Sequence, residues 1–426
     1  MPVLPSGCFP VRAVHLLIAV LVVHAVAFAI SASESALPAV DYDRYYEIGS
    51  SAGRPYVDYQ VEHPIGTLLV FKALARLPGG RAAFGMGIVA LDLIADTIII
   101  GALFWAWGPA AAVFGAAALV PVLGLFFNRV DPWSTASAIV AVAAWRKQRP
   151  LVLGCAIALG AAFKLWPLVL ATLLAVPWRG RRSIAALGAF AATAAVLGGG
   201  ALWIAGADGL LQVLTFRGAR GWQIESLVGS VMHLAESQTM RMESGSWRIG
   251  ASSGPVSIAM FLAAAPICLW SSWRGARLDR VGAGWLASVS ALLLLSALLS
   301  AQFVIWLAPA AAIAWAEGDQ RLAVLTALVI VMTQIMWSAY GGVIAGDLPA
   351  LLTVVVRNMM LAVLAGCAIA RLAATRRRDG AKPPAARGRT TAPAPPARPR
   401  TKRPPAAAAR AECESPSRRT PGTAPT

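Results

Sequence analysis

Residues 13–30, AVHLLIAVLVVHAVAFAI, form an unbroken apolar run behind Arg12 and ahead of the polar stretch SASESA. The run matches the roughly 20 residues that an α-helix needs to cross the hydrocarbon core of a bilayer. It exceeds the usual apolar core of a cleaved signal peptide, and many similar runs follow, so it reads as an uncleaved first span. Further apolar runs lie near 66–77, 84–107, 109–127, 151–177, 183–205, 255–273, 281–299, 303–316, 322–340 and 349–373. The run at 66–77 is short, and Lys164 and Pro167 break 151–177 into two halves. The expectation is an all-α polytopic membrane protein of about ten to twelve transmembrane helices, with short interfacial helices on its outer side.

Composition agrees. The chain has 426 residues, of which 58% are hydrophobic and 13% charged, whereas about a quarter of a soluble domain is charged. Its net charge of +17 is concentrated at one end, because residues 375–426 carry 13 Lys/Arg against 3 Asp/Glu. That basicity belongs to a Pro/Ala/Arg-rich tail, 374–426, which cannot bury enough apolar surface to fold and is expected to be disordered and cytoplasmic. It suits contact with anionic lipid and does not imply a nucleic-acid partner. The remaining 1–373 form one transmembrane domain. Five single cysteines, with no CxxC and no Cys/His cluster, suggest neither a zinc site nor a disulfide framework.

Orientation follows from where short loops keep their Lys and Arg. Arg76 and Arg81, then Arg146, Lys147 and Arg149, then Arg179, Arg181 and Arg182, then Arg274, Arg277 and Arg280, and finally Arg376 to Arg378 mark cytoplasmic ends. The segment 132–145 is then left as an interfacial helix or short hairpin. Two long polar segments, 32–64 and 206–254, fall on the outer side. The first holds Glu34, Asp41, Asp43, Glu47, Asp58 and Glu62 against Arg44 and Arg54.

An outer loop crowded with carboxylates and tyrosines, DYDRYYEIGSSAGRPYVDYQVEHPIG at 41–66, is a candidate catalytic surface, since one positioned carboxylate suffices to take a proton from a hydroxyl. The alternative is that these acids solvate the loop or pair with Arg44 and Arg54. Asp41, Tyr45, Tyr46 and Gly49, followed by Pro55-Tyr56, Asp58, Glu62 and Pro64, resemble the first-loop pattern of glycosyltransferase family 87, polyprenyl-phosphate-mannose-dependent mannosyltransferases. Three later stretches are similar to that family in the same order: Ala162-Phe163-Lys164-Leu165-Trp166-Pro167, Arg220-Gly221-Trp222-Gln223-Ile224-Glu225-Ser226-Leu227, and Ser300-Ala301-Gln302-Phe303-Val304-Ile305-Trp306-Leu307-Ala308-Pro309. The chain departs from the pattern at His63, Ile65 and Ala301, where the family usually has Tyr, Pro and Pro.

The resemblance implies a GT-C-like bundle whose site opens just above the bilayer, at the outer face of the plasma membrane. It also implies a first-loop Asp as general base, at the position of Asp41. Asp43, two residues on, is the second candidate. Arg220 is the first candidate contact for the donor phosphate, because a guanidinium binds phosphate oxygens in a fork; Lys164 and His63 are weaker ones. Tyr45, Glu62, Gln223, Glu225, Ser226 and Gln302 are carried as polar lining by motif match. The implied partners are a polyprenyl-phosphate-linked sugar, most simply mannose, a glycolipid or glycan acceptor, and membrane lipid. No cofactor is implied, and no carboxylate spacing dictates a metal.

Three further features are weighed separately. Asp92 and Asp96 share a helix face within an apolar run. They suit either an intrabundle hydrogen-bonding pair or the proton pathway of a transporter or lipid flippase, the competing class of function. His15 and His24 do not share a face and are expected to pack. Of the 15 tryptophans, many fall at span ends as an aromatic belt, whereas Trp222 and Trp247 are placed to stack on sugars.

Overall fold

A computed structural model describes residues 11–34, 40–176, 180–214, 220–235, 240–243, 245–250 and 254–374. The tail expected from 374 onward lies outside these apart from Ala374, which ends the last helix. Among the described residues, seven helices are long and apolar enough to cross a membrane: Val14–Glu34, Gly80–Trp107, Pro109–Phe126, Arg181–Ala207, Val256–Leu278, Gln320–Ser338 and Leu348–Ala374. Four shorter apolar helices, Ile65–Leu74, Pro150–Phe163, Val281–Leu294 and Ala301–Ala316, complete the bundle. The protein is therefore an all-α, multi-pass membrane protein, and its expected ten to twelve spans resolve into seven long helices and these shorter ones. Its only strands among the described residues, Trp222–Gln223, Arg241–Glu243 and Ser246–Ile249, make a small antiparallel sheet with the third strand in the middle.

The helices turn at two ends. At one, Arg146 donates to the Ala106 carbonyl at 2.9 Å, Arg182 to Gln148 at 2.5 Å, and Arg371 and Arg280 to Asp319 at 2.6 and 3.1 Å. This basic end gathers the Arg clusters of the described residues with one exception; Arg179 and Arg376 to Arg378 lie outside those residues. Arg81 donates to Asp43 at 2.7 Å, so the 76–81 cluster sits with the acidic loop at the opposite end. The reason is length: Ile65–Leu74 has ten residues, about 15 Å of helix against a core of about 30 Å. It does not cross, and the assignment of Arg76 and Arg81 to the basic end is corrected.

A second correction concerns 132–145. Asp131–Arg146 is a single helix buried along nearly its whole length, packed against Gly80–Trp107 and Pro150–Phe163. A helix built of Ala, Val, Ile, Ser and Trp with no polar stripe belongs inside a bundle rather than at an interface. The expected break at Lys164 is present. Pro150–Phe163 ends there in extended backbone, and Trp166–Leu174 continues as a 3₁₀ helix, because Pro167 removes a backbone donor and restricts the residue before it.

The first polar segment becomes the helix Val40–Ser50 and a coiled return to Pro64. Two motif glycines explain how it is seated. A Cβ at Gly49 would stand 2.6 Å from the Phe71 carbonyl oxygen, and one at Gly66 2.7 Å from that of Ala162, so both helices approach backbone to backbone. Asp58 accepts from the Arg54 backbone N–H at 2.7 Å, and Tyr56 donates to the His63 carbonyl at 2.6 Å. These motif residues hold the loop in shape.

Candidate active site

The acidic end of the bundle opens on a cavity of about 620 Å³. Its polar lining includes Asp41, Arg129, Gln223 with Glu225, and Ser300 with Gln302, drawn from separate stretches of the chain. Asp41 and Asp43 both lie in the first turn of Val40–Ser50, where unpaired backbone N–H groups favour negative charge. Two residues of helix turn the chain by about 200°, so the two side chains diverge. Asp41 lines the cavity and is ion-paired with Arg129. Asp43 points to Arg81, outside the cavity.

The clamp that brings Asp41 to Arg129 is the residue between the two acids. The buried Tyr42 hydroxyl donates to Asn128 Oδ1 at 2.6 Å and lies 3.2 Å from the Phe127 carbonyl. This fixes the start of the loop helix against the turn 127–129. Arg129 is buried, and burial pushes its guanidinium down to about 10, the neighbouring charges of Asp131 and Glu225 opposing the shift.

Beneath the cavity, Asp131 is fully buried and accepts from Lys164 Nζ at 2.6 Å and Trp306 Nε1 at 2.8 Å. Lys164 lies over the rings of Phe303 and Trp306, at 4.5 and 5.3 Å from their centroids, and Trp166 stacks on Trp306 at 5.0 Å. The Lys164 break and the Gln302 helix are thereby joined through Asp131. His63 and Tyr45 stand apart from the cavity lining. Their rings meet edge to face at 5.4 Å and both pack on Phe71. Burial lowers the His63 imidazole to about 4, so it is neutral at physiological pH. Glu62 pairs with Arg44 at 3.2 Å, a contact within the loop.

The segment 220–227 threads the far wall. Gln223 Oε1 accepts from the Leu299 N–H at 3.1 Å, and the Glu225 carbonyl accepts from Arg357 at 2.8 Å and Asn358 at 3.3 Å. Burial raises the Glu225 carboxyl to about 7 despite the opposing charge of Arg357. Ser226 accepts from the Gly229 N–H at 3.0 Å, capping the helix Leu227–Ala235. Arg220, the expected phosphate contact, is exposed and lies outside the cavity lining; its backbone N–H donates to Glu243. The arginine that lines the cavity is Arg129. Trp247 lines the cavity, whereas Trp222 is buried in its strand.

Arg129 and Asp131 were not singled out from the sequence, yet they connect three of the four motif stretches. The signal was present. Asn128-Arg129-Val130-Asp131-Pro132-Trp133 puts two ionisable residues at the end of an apolar run, immediately before a proline in the first helical turn.

Asp92 and Asp96 are buried in the bundle and directed to different partners. Asp92 accepts from Trp133 Nε1 at 2.8 Å, and Asp96 pairs with His24 at 2.8 Å, whose other nitrogen contacts the Ala116 carbonyl at 3.0 Å. His24 is therefore a polar partner and not the packing residue expected of it. Among the described residues, no group of three or more His, Cys, Asp or Glu is arranged to hold a metal.

The described fold is thus a multi-pass membrane bundle with a carboxylate and a guanidinium facing each other in a polar cavity at one end. A sequence model of glycosyltransferase family 87 matches residues 62–301, over half of the chain, and the chain belongs to that family. It is thus a membrane glycosyltransferase, acting on a sugar donor and an acceptor. The matched interval includes Lys164, Arg129, Asp131, Gln223 and Glu225; Asp41 precedes it. No curated protein matches the chain significantly.

Proposed function

We propose that this chain transfers a sugar, with mannose as the first choice, from a polyprenyl-phosphate donor to a lipid-linked or cell-envelope glycan, and that Asp41 is the general base. The observation that carries the reading is the position of Asp41: a carboxylate in a helix first turn, clamped by Tyr42, facing a polar cavity at the end of a membrane bundle. In the reaction the acceptor oxygen attacks the anomeric carbon and its proton passes to the Asp41 carboxylate. The bond from that carbon to the phosphate oxygen breaks, and its electron pair leaves with the lipid phosphate. Phosphate leaves well without an acid, so catalysis reduces to aligning and deprotonating the acceptor. One base on one face gives inversion.

A lipid-borne donor is supported by an apolar groove of about 550 Å³ between Pro150–Phe163 and Arg181–Leu214. It reaches Leu165, next to Lys164, and is lined by small residues such as Ala162, Ala195 and Gly198. The architecture is that of a GT-C-like enzyme. Arg residues at the end opposite the cavity favour a cytoplasmic location for that end. The cavity then opens at the outer face of the plasma membrane, and the tail 374–426 is cytoplasmic.

The test is transfer from radiolabelled polyprenyl-phosphate mannose in membranes containing the wild-type chain or Asp41→Asn. Loss of transfer in the variant is expected, and undiminished transfer overturns the base. Arabinose and glucose donors run in parallel decide the sugar.

A further inference from the structure

We propose that the Asp41–Arg129 ion pair is a latch opened by the anionic headgroup of the donor, so that the base becomes available only once phosphate has taken its guanidinium. The inference rests on the donor reading above and adds a cation and an order of events to it. Arg129 is only 8% exposed, and a guanidinium keeps its charge at any physiological pH, so it requires an anion at all times. Among the described residues, Asp41 is the carboxylate paired with it. Of the other acids whose charge reaches it, Asp131 is bonded through one oxygen to Lys164 and Trp306, and Glu225 has the buried Arg357 as its nearest opposing charge.

Arg129 nevertheless has unused capacity. Its Nε is buried without a hydrogen-bond partner, while the residue lines the cavity. A guanidinium presents five N–H donors in a planar fork that fits phosphate oxygens two at a time. A phosphate in the cavity therefore satisfies Arg129 better than one carboxylate does. Asp41 loses its partner without becoming buried, because its side chain is 43% exposed. While the pair is closed, one Asp41 oxygen is engaged by the guanidinium and is a poor proton acceptor. When the pair opens, that oxygen is free for the acceptor hydroxyl. The latch thus couples donor binding to base activation and predicts an unusual pair of phenotypes: removing the base strengthens headgroup binding.

The experiment measures binding of tritiated polyprenyl phosphate, which carries no sugar, to the full-length chain in nanodiscs. Uncharged polyprenol and inorganic phosphate are the comparison probes. Arg129→Gln is expected to weaken polyprenyl phosphate binding roughly ten- to hundred-fold, as loss of a charge-assisted hydrogen bond does, and Arg129→Lys to weaken it less. Asp41→Asn is expected to tighten binding several-fold, and neither substitution should alter polyprenol retention. Unchanged binding in Arg129→Gln overturns the proposal, as does binding in Asp41→Asn no tighter than wild type; the latter decides alone if Arg129→Gln does not fold. Arg129-dependent binding of inorganic phosphate without that of polyprenyl phosphate also overturns it. Failure of the transferase reading looks different: both binding phenotypes would be present with no sugar transferred by the wild-type chain.

Discussion

The acids at the rim of the cavity and the acids inside the bundle carry the same carboxyl group and are held in opposite ways. Asp41 is part-exposed and faces one guanidinium across an open cavity. Asp131, Asp92 and Asp96 are buried, and each is tied to an indole, an ammonium or an imidazole on another helix. A buried charge costs several kcal/mol to desolvate and persists only with partners of good geometry, so the interior acids serve to fix helix against helix. A rim acid has water as an alternative partner and can change its contacts during a reaction. Burial and partner number, and not residue type, separate the candidate base from the structural acids.

The contrast breaks most directly at its two extremes. Asp41→Asn is expected to reduce transfer by about 10²–10⁴-fold, the usual worth of a positioned base, while lowering the melting temperature in nanodiscs less than loss of a fully buried pair does, because Asp41 lies at the part-exposed rim. A variant that melts early and still transfers would place Asp41 among the structural acids. Lys164→Met should do the reverse, because it strands Asp131 without its cation. A stability loss of about 3–5 kcal/mol is expected, read from denaturation in mixed micelles. Adding Asp131→Asn to the same chain should recover part of it, and a stable single variant would show that the buried pair is not structural.

Glu225 lies between these extremes, buried yet on the cavity wall, and its behaviour sharpens the comparison. Its carboxyl rises from an ordinary 4.5 to about 7 in the fold. The native state therefore holds a proton that the unfolded chain has released over that range. Stability should fall as pH climbs from about 4.5 to about 7 and then level off, a total of about 3 kcal/mol at most. Thermal melts across that range should show the slope in the wild type and a flatter line in Glu225→Gln. The smallest effect is expected at Asp43. Its pair with Arg81 is exposed, so Asp43→Ala should cost under about 1 kcal/mol and leave transfer intact; a large loss in the transfer assay would exchange the roles of the two acids.

Much of this site was legible in the sequence because its parts lie in recognisable stretches. The acidic loop, the Lys164 break, Gln223-Ile224-Glu225 and Gln302 all come to the acidic end. Their pairing was not legible. Arg220 had the right chemistry and the wrong exposure: it precedes the strand Trp222–Gln223 and is exposed outside the cavity lining, while Gly221 and the residues after it are buried. Arg129 was passed over because it sits in no acidic loop and no motif. Its importance comes from Tyr42 reaching across to Phe127 and Asn128, a contact 86 residues apart in the chain. Charge counting failed at Arg76 and Arg81 because the ten-residue helix Ile65–Leu74 before them is too short to cross, which left Arg81 beside Asp43 at the acidic end.

By itself, then, the sequence determined the class of fold. Hydropathy over some 20 residues dictates a helix in lipid whatever its neighbours are, because every backbone polar group must be satisfied within the segment. It also singled out an acidic segment between spans as the candidate surface for the chemistry. Only the tertiary structure decided which carboxylate faces which cation. That depends on how a helix about 200° per two residues is rotated against a turn from elsewhere in the chain, and local spacing carries no information about such a rotation.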